Sequence, residues 1–214
     1  MKNLAGKIFG RLKMGWPQVI LFAIAAAVYT GLVMLVPAFK DTSVQDIGTY
    51  FEWWAIFAVI IVTNCHKSWE AMLKCFVFFL ISQPLIYAVE IVGGNLTVDK
   101  ALVYYKATWL PMTFLTLPGG FMAFFCKKQN AFGAIILGLG NTILLAMALT
   151  YAVKCYGAFP HHLLSFFVCI LAVLAMSFGI QKNKNNRTIA LLVPVIFLIA
   201  LVIIAALTGR LHFT

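Results

Sequence analysis

Long apolar runs alternate with short polar segments along the whole chain, and this pattern predicts the architecture before any single residue is considered. The runs cover residues 17–36, 43–63, 71–92, 106–126, 131–153, 161–179 and 188–207. At ~1.5 Å per residue each helical run reaches about 30 Å, the thickness of a bilayer's hydrocarbon core. The expected fold class is all-α: a polytopic integral membrane protein, a bundle of about seven transmembrane helices. Residues 1–15 form a basic cytoplasmic segment, and 16–214 a single transmembrane helical domain.

Within the runs, two polar interruptions stand out. Ser82-Gln83-Pro84 lies in the middle of the third run, where Pro84 lacks an amide hydrogen and its ring crowds the carbonyl of Leu80. Thr116-Leu117-Pro118-Gly119-Gly120 lies in the middle of the fourth. Both predict broken helices, which a bilayer tolerates only where protein or a wet cavity surrounds the freed backbone. On span 3, Gln83, Tyr87 and Glu90 fall at i, i+4 and i+7 and share a face. Ser43 with Asp46 three residues later resembles a capping box, which starts helix 2 near Ser43 and brings Glu52 toward mid-span. Read by depth, Glu52, Gln83, Thr116 and Asn141 are level, predicting a polar pocket at the midplane among spans 2 to 5. An ionisable residue at that depth costs at least ~2.5 kcal/mol and marks a pathway or a ligand site. The alternative is that Gln83 and Asn141 are interhelical glue and Glu52 is interfacial.

Ala23, Ala27 and Gly31 recur every four residues on span 1, a small-residue stripe that admits another helix closely, internal or from a partner membrane subunit. Hydrophobic residues make up 63% of the chain and charged residues 10%, against roughly a quarter charged in soluble proteins, so no separate soluble domain is expected. The net charge of +10 is dispersed in short clusters between the spans, which excludes a nucleic-acid face. The basic residues serve topology instead. Lys2, Lys7, Arg11, Lys13, Lys67, Lys74, Lys127, Lys128, Lys182, Lys184 and Arg187 fall on one side, and Lys40, Lys100, Lys106, Lys154 and Arg210 on the other. The positive-inside rule then places the amino terminus in the cytoplasm and the carboxyl terminus outside, in a cell membrane of plasma-membrane type.

Chemistry is sparse. Cys65, Cys75, Cys126, Cys155 and Cys169 show no paired spacing, so neither a disulfide framework nor a zinc site is indicated. His161 and His162 are adjacent and diverge if helical, so no metal site is expected even with Glu90 or His212 in reach. Cys65 and His66 diverge likewise. No catalytic motif and no cofactor motif is present. The expected function is binding or translocation of a small solute at the midplane pocket, by Glu52, Gln83, Tyr87, Glu90, Thr116 and Asn141. A membrane-embedded enzyme acting on a lipid or lipid-linked substrate and an assembly or immunity protein are the alternatives. Reporter fusions after Lys128 and after Arg187 are expected to report cytoplasm, and one after Thr214 the outside; a cytoplasmic signal at Thr214 would remove one crossing.

Overall fold

The computed structural model describes residues 2–40, 42–157, 159 and 161–207; the expectations for His212, Arg210 and the carboxyl terminus lie outside the described residues. Apart from short 3₁₀ and π turns, every element described is an α-helix. In order these are α1 (Lys2–Ile8), α2 (Trp16–Leu35), α3 (Ser43–Thr49), α4 (Phe51–Thr63), α5 (Ser68–Val92), α6 (Val98–Tyr104), α7 (Leu110–Ala123), α8 (Ala131–Gly157), α9 (Leu163–Ile180) and α10 (Lys184–Leu207). A π turn over Tyr105–Trp109 joins α6 to α7. Six helices are long and apolar enough to cross a membrane: α2, α5, the continuous unit Val98–Lys127, α8, α9 and α10.

The run expected as span 2 is divided. Tyr50 is extended (φ −92°, ψ 156°) between α3 and α4, and the 13 residues of α4 reach only about 20 Å. Tertiary contacts hold this break, since Tyr50 packs edge-on against Tyr151 at 5.6 Å and His162 at 5.9 Å. The breaks expected at the prolines are absent: α5 is helical through Pro84 and α7 through Pro118. A proline removes one backbone bond, and tertiary packing on both helices retains the helix around that loss. Ahead of Pro111 the π turn widens the coil, with the Leu110 amide reaching the Tyr105 carbonyl.

The helices pack in two groups that follow the chain. In the first, α5 lies between α2 and α7; in the second, α8 lies between α9 and α10. The short α4 touches α5 and α7 on one side and α8 and α9 on the other. Its Trp54, buried with Phe78 and Phe79, enters the first core, and Ala55 and Val59 pack on the second. Ala23 and Ala27 on α2 are fully buried, and a Cβ at Gly31 would stand 2.6 Å from Val89 of α5, so the small-residue stripe is used within the chain. In the second group a Cβ at Gly138 would stand 2.6 Å from Val193 of α10.

One end of the bundle is cross-linked by amides. Asn64, just after α4, accepts from the amides of Gly10 (3.1 Å) and Leu12 (2.7 Å) and donates to the carbonyls of Ile8 (2.7 Å) and Ile60 (2.8 Å). Lys74, counted above among the basic residues of one side, is buried and bound by Glu70 and the Met14 carbonyl. The 181–187 segment, expected as a polar loop, starts α10 at Lys184 and buries Gln181, which donates to the carbonyls of Cys126 (2.6 Å) and Lys128 (3.1 Å). Arg187 Nε donates to the Gln181 carbonyl at 2.6 Å.

These packings set opposite signs for similar substitutions. Alanine for glycine in a helix gains up to ~1 kcal/mol, whereas a forced methyl in a tight interface costs ~1–3 kcal/mol. Gly140 has open space around its Cβ position. Melting in detergent is therefore expected to fall for Gly31→Ala, Gly138→Ala and Ala27→Leu, to rise or hold for Gly140→Ala, and to hold for Ile24→Leu.

Candidate functional site

Two places gather the residues that carry chemistry. The first is a partly open cavity of about 390 Å³ walled by α4, α5, α7 and α8. Trp54, Phe79, Trp109, Leu115 and Leu144 line it, with Thr116 and the fully buried Asn141 also in its wall. This is the position between spans 2 to 5 where a pocket was expected, but the surface is almost wholly apolar. It lies beside the short α4, where α7 and α8 make little direct contact; the first group meets α8 chiefly through the 3₁₀ turn Phe124–Lys127 that follows α7. Aromatic side chains fill only part of that gap, with Trp54 and Trp109 rings 6.3 Å apart.

The expected site residues fall in three places, with Gln83 apart from all of them. Thr116 and Asn141 face the cavity. Thr116 donates to the Thr113 carbonyl at 2.6 Å, and Asn141 Nδ2 donates to Ser177 Oγ (3.0 Å) and to the Ala190 carbonyl (3.3 Å), while its Oδ1 is buried without a protein partner. Tyr87 and Glu90 line a separate, more polar cleft of about 580 Å³ between the ends of α2 and α5, with Lys40 and Asn95 on its rim. The Tyr87 hydroxyl there bonds the Trp109 side chain. Gln83 is buried on α5 with Nε2 unpartnered, and Ser82 Oγ beside it is unpartnered too.

Glu52 is in the third place. It is fully buried in the first turn of α4 and accepts a 2.7 Å hydrogen bond from the Tyr151 hydroxyl through Oε2, leaving Oε1 without a protein partner. Tyr151 stacks on His162 at 5.6 Å, and this leads to Asp46. Asp46 forms no capping box; Thr42 is the N-cap of α3. Its buried carboxylate instead receives three groups from the α8 to α9 connection and the first turn of α9: His161 Nε2 at 3.1 Å from Oδ1, His162 Nδ1 at 3.2 Å from Oδ2, and Ser165 Oγ at 3.1 Å from Oδ2. The histidines do not diverge. α9 starts at Leu163, after them, and His162 is left-handed (φ 67°), so the two rings stack 3.8 Å apart. Left-handed backbone costs a residue with a Cβ roughly 1–2 kcal/mol, which the three groups on Asp46 and the Tyr151 stack offset. A lone acid at 46 and a histidine pair at 161 and 162 were visible in the sequence, but 115 residues separate them.

Elsewhere, Cys65 and His66 separate as expected. The Cys65 thiol is buried, bonds the Ile61 carbonyl at 3.2 Å, and burial pushes it up to about 11, so it is protonated and a poor nucleophile near neutral pH. No family model matches the chain, and no curated protein or solved structure is significantly similar to it.

The Glu52 contact has a measurable signature. Tyr151→Phe removes the one bond made by a buried carboxylate and is expected to cost ~1–3 kcal/mol. In a Glu52→Gln background the same change should cost less, because a neutral amide is less harmed by the loss. Equal costs in a double-mutant melting cycle would mean that the two side chains are not coupled.

Proposed function

We propose that the chain is a cell-membrane protein of seven crossings, amino terminus in the cytoplasm, that binds and passes a small apolar solute or lipid hydrocarbon chain through the cavity between its two helix groups. Segment 43–63 makes the second crossing as a broken helix. Supporting this, Asp46 near its start is bound by groups before and at the start of α9, whereas Asn64 just after it is bound by residues 8–12, near the end of α9. The observation that carries the functional reading is the cavity itself. Its 390 Å³ lies within the usual ligand range of about 300–1,000 Å³, and an aromatic wall with a few polar groups is the common form of a small-molecule site.

The polar groups in the wall contribute little affinity. Asn141 is fully buried, with its Oδ1 unpartnered but without accessible surface, and the Thr116 hydroxyl is committed to its own helix, so a ligand in the cavity finds little polar partnership. Hydrocarbon burial supplies the affinity, at ~25 cal/mol per Å². Exchange with the bilayer needs only a separation of α7 from α8, which are weakly packed on each other.

A photoactivatable fatty acid is the probe. In purified protein it should label residues lining α4, α7 and α8, and Gly140→Phe, which projects bulk into open space at the cavity wall, should reduce labelling about tenfold, or ~1.4 kcal/mol, without lowering the melting temperature. Labelling that is unchanged in Gly140→Phe, or confined to the outer face of α10, would overturn the assignment.

A further inference from the structure

Asp46, His161 and His162 meet in a way that hydrogen bonding alone does not require. Each imidazole directs one nitrogen at a different oxygen of the same carboxylate, at 3.1 and 3.2 Å, and one ligand atom from each residue lies within 4.8 Å of the others. Around a tetrahedral zinc ion with bonds of ~2.0–2.1 Å, ligand atoms stand about 3.3 Å apart. Each histidine nitrogen thus stands about that far from one carboxylate oxygen, and a set of three ligand atoms within 4.8 Å of one another reaches a coordination sphere by a small side-chain shift. We propose that these three side chains form a binding site for a divalent transition metal of the zinc class, distinct from the apolar cavity.

The surrounding chemistry fits that ion. Two imidazoles and a carboxylate are an N₂O set suited to zinc, cobalt or nickel rather than to magnesium or calcium, which take oxygen ligands. Ser165 donates to Asp46 Oδ2 and fixes the carboxylate, and Tyr151 stacks on His162 and fixes that ring, the outer supports that metal ligands characteristically have. Asp46 and His162 are buried, whereas the His161 side chain is 19% exposed. That exposed edge supplies an entry path and leaves a fourth position for water. On binding, each imidazole ligates as the neutral tautomer whose single proton is on the nitrogen remote from the ion, so a proton that bridges to Asp46 in the metal-free protein moves to that far nitrogen, and the metal takes the place of the two histidine–carboxylate hydrogen bonds. Because Asp46 is on α3 and both histidines precede α9, the ion ties the broken segment to the second helix group.

The test uses purified full-length protein without a histidine tag, stripped with a chelator and titrated with cobalt(II), then zinc(II). Wild type should take up one metal per chain, develop visible cobalt bands that zinc abolishes, and melt at a higher temperature with zinc than without. His161→Ala, at the exposed edge, should melt like metal-free wild type and lose both the bands and the zinc-dependent rise; Ser165→Ala should retain the bands with affinity weakened about 10–100-fold. Absence of stoichiometric uptake by wild type, or uptake by His161→Ala equal to wild type, would overturn the proposal. So would cobalt bands that vanish in Cys155→Ser but survive in His161→Ala.

Discussion

A broken segment in an apolar surround must satisfy its polar groups internally, and the arrangement of the whole bundle follows from how residues 43–63 do so. One side chain secures each end. Asn64 makes four hydrogen bonds to the amino-terminal segment and its own helix, and Asp46 gathers His161, His162 and Ser165. Between them Glu52 is committed to Tyr151. Both ends are therefore tied to elements distant in sequence, and α4 is held between two helix groups that also meet where the turn Phe124–Lys127 packs on α8.

The apolar cavity is the other face of the same constraint. A full-length helix in place of α4 would close the gap between α7 and α8; a 13-residue helix reaching about 20 Å leaves it open on part of its height. Aromatic residues line the opening and no charged side chain does. Buried polar groups such as Asp46, Asn64 and the Glu52–Tyr151 pair lie outside the lining of the cavity, which lets the wall remain greasy while the bundle remains specific.

Much of this was legible in the chain, and the exceptions have physical causes. Apolar runs located α2, α5, α8, α9 and α10 to within a few residues, because nearly every residue of a spanning helix contributes to the signal. Prolines misled: Pro84 and Pro118 each forfeit one hydrogen bond inside helices that neighbours hold in place. The break at Tyr50 has no proline, and its stabilising rings come from residues 151 and 162. Glu52 was recognised as unusual, yet its partner lies 99 residues away, and the face it turns toward depends on the break. The histidine pair diverges only under helical geometry, which does not apply where His162 is left-handed. Local rules thus recovered the helices, whereas the polar contacts depended on long-range pairing.

The order of residues along the chain also sets a schedule for biogenesis. Glu52 and Asp46 emerge from the ribosome well before Tyr151, His161, His162 and Ser165, which follow 99 to 119 residues later. At ~5–20 residues per second, two carboxylates wait on the order of 5–20 s for their partners. A carboxylate left in the hydrocarbon costs at least ~2.5 kcal/mol. Segment 43–63 therefore has reason to linger at the headgroup level while the first helix group assembles, and to settle into the bundle only when the α8 to α9 connection arrives. Placement of this segment is thus completed after its own residues are made, timed by the second half of the chain.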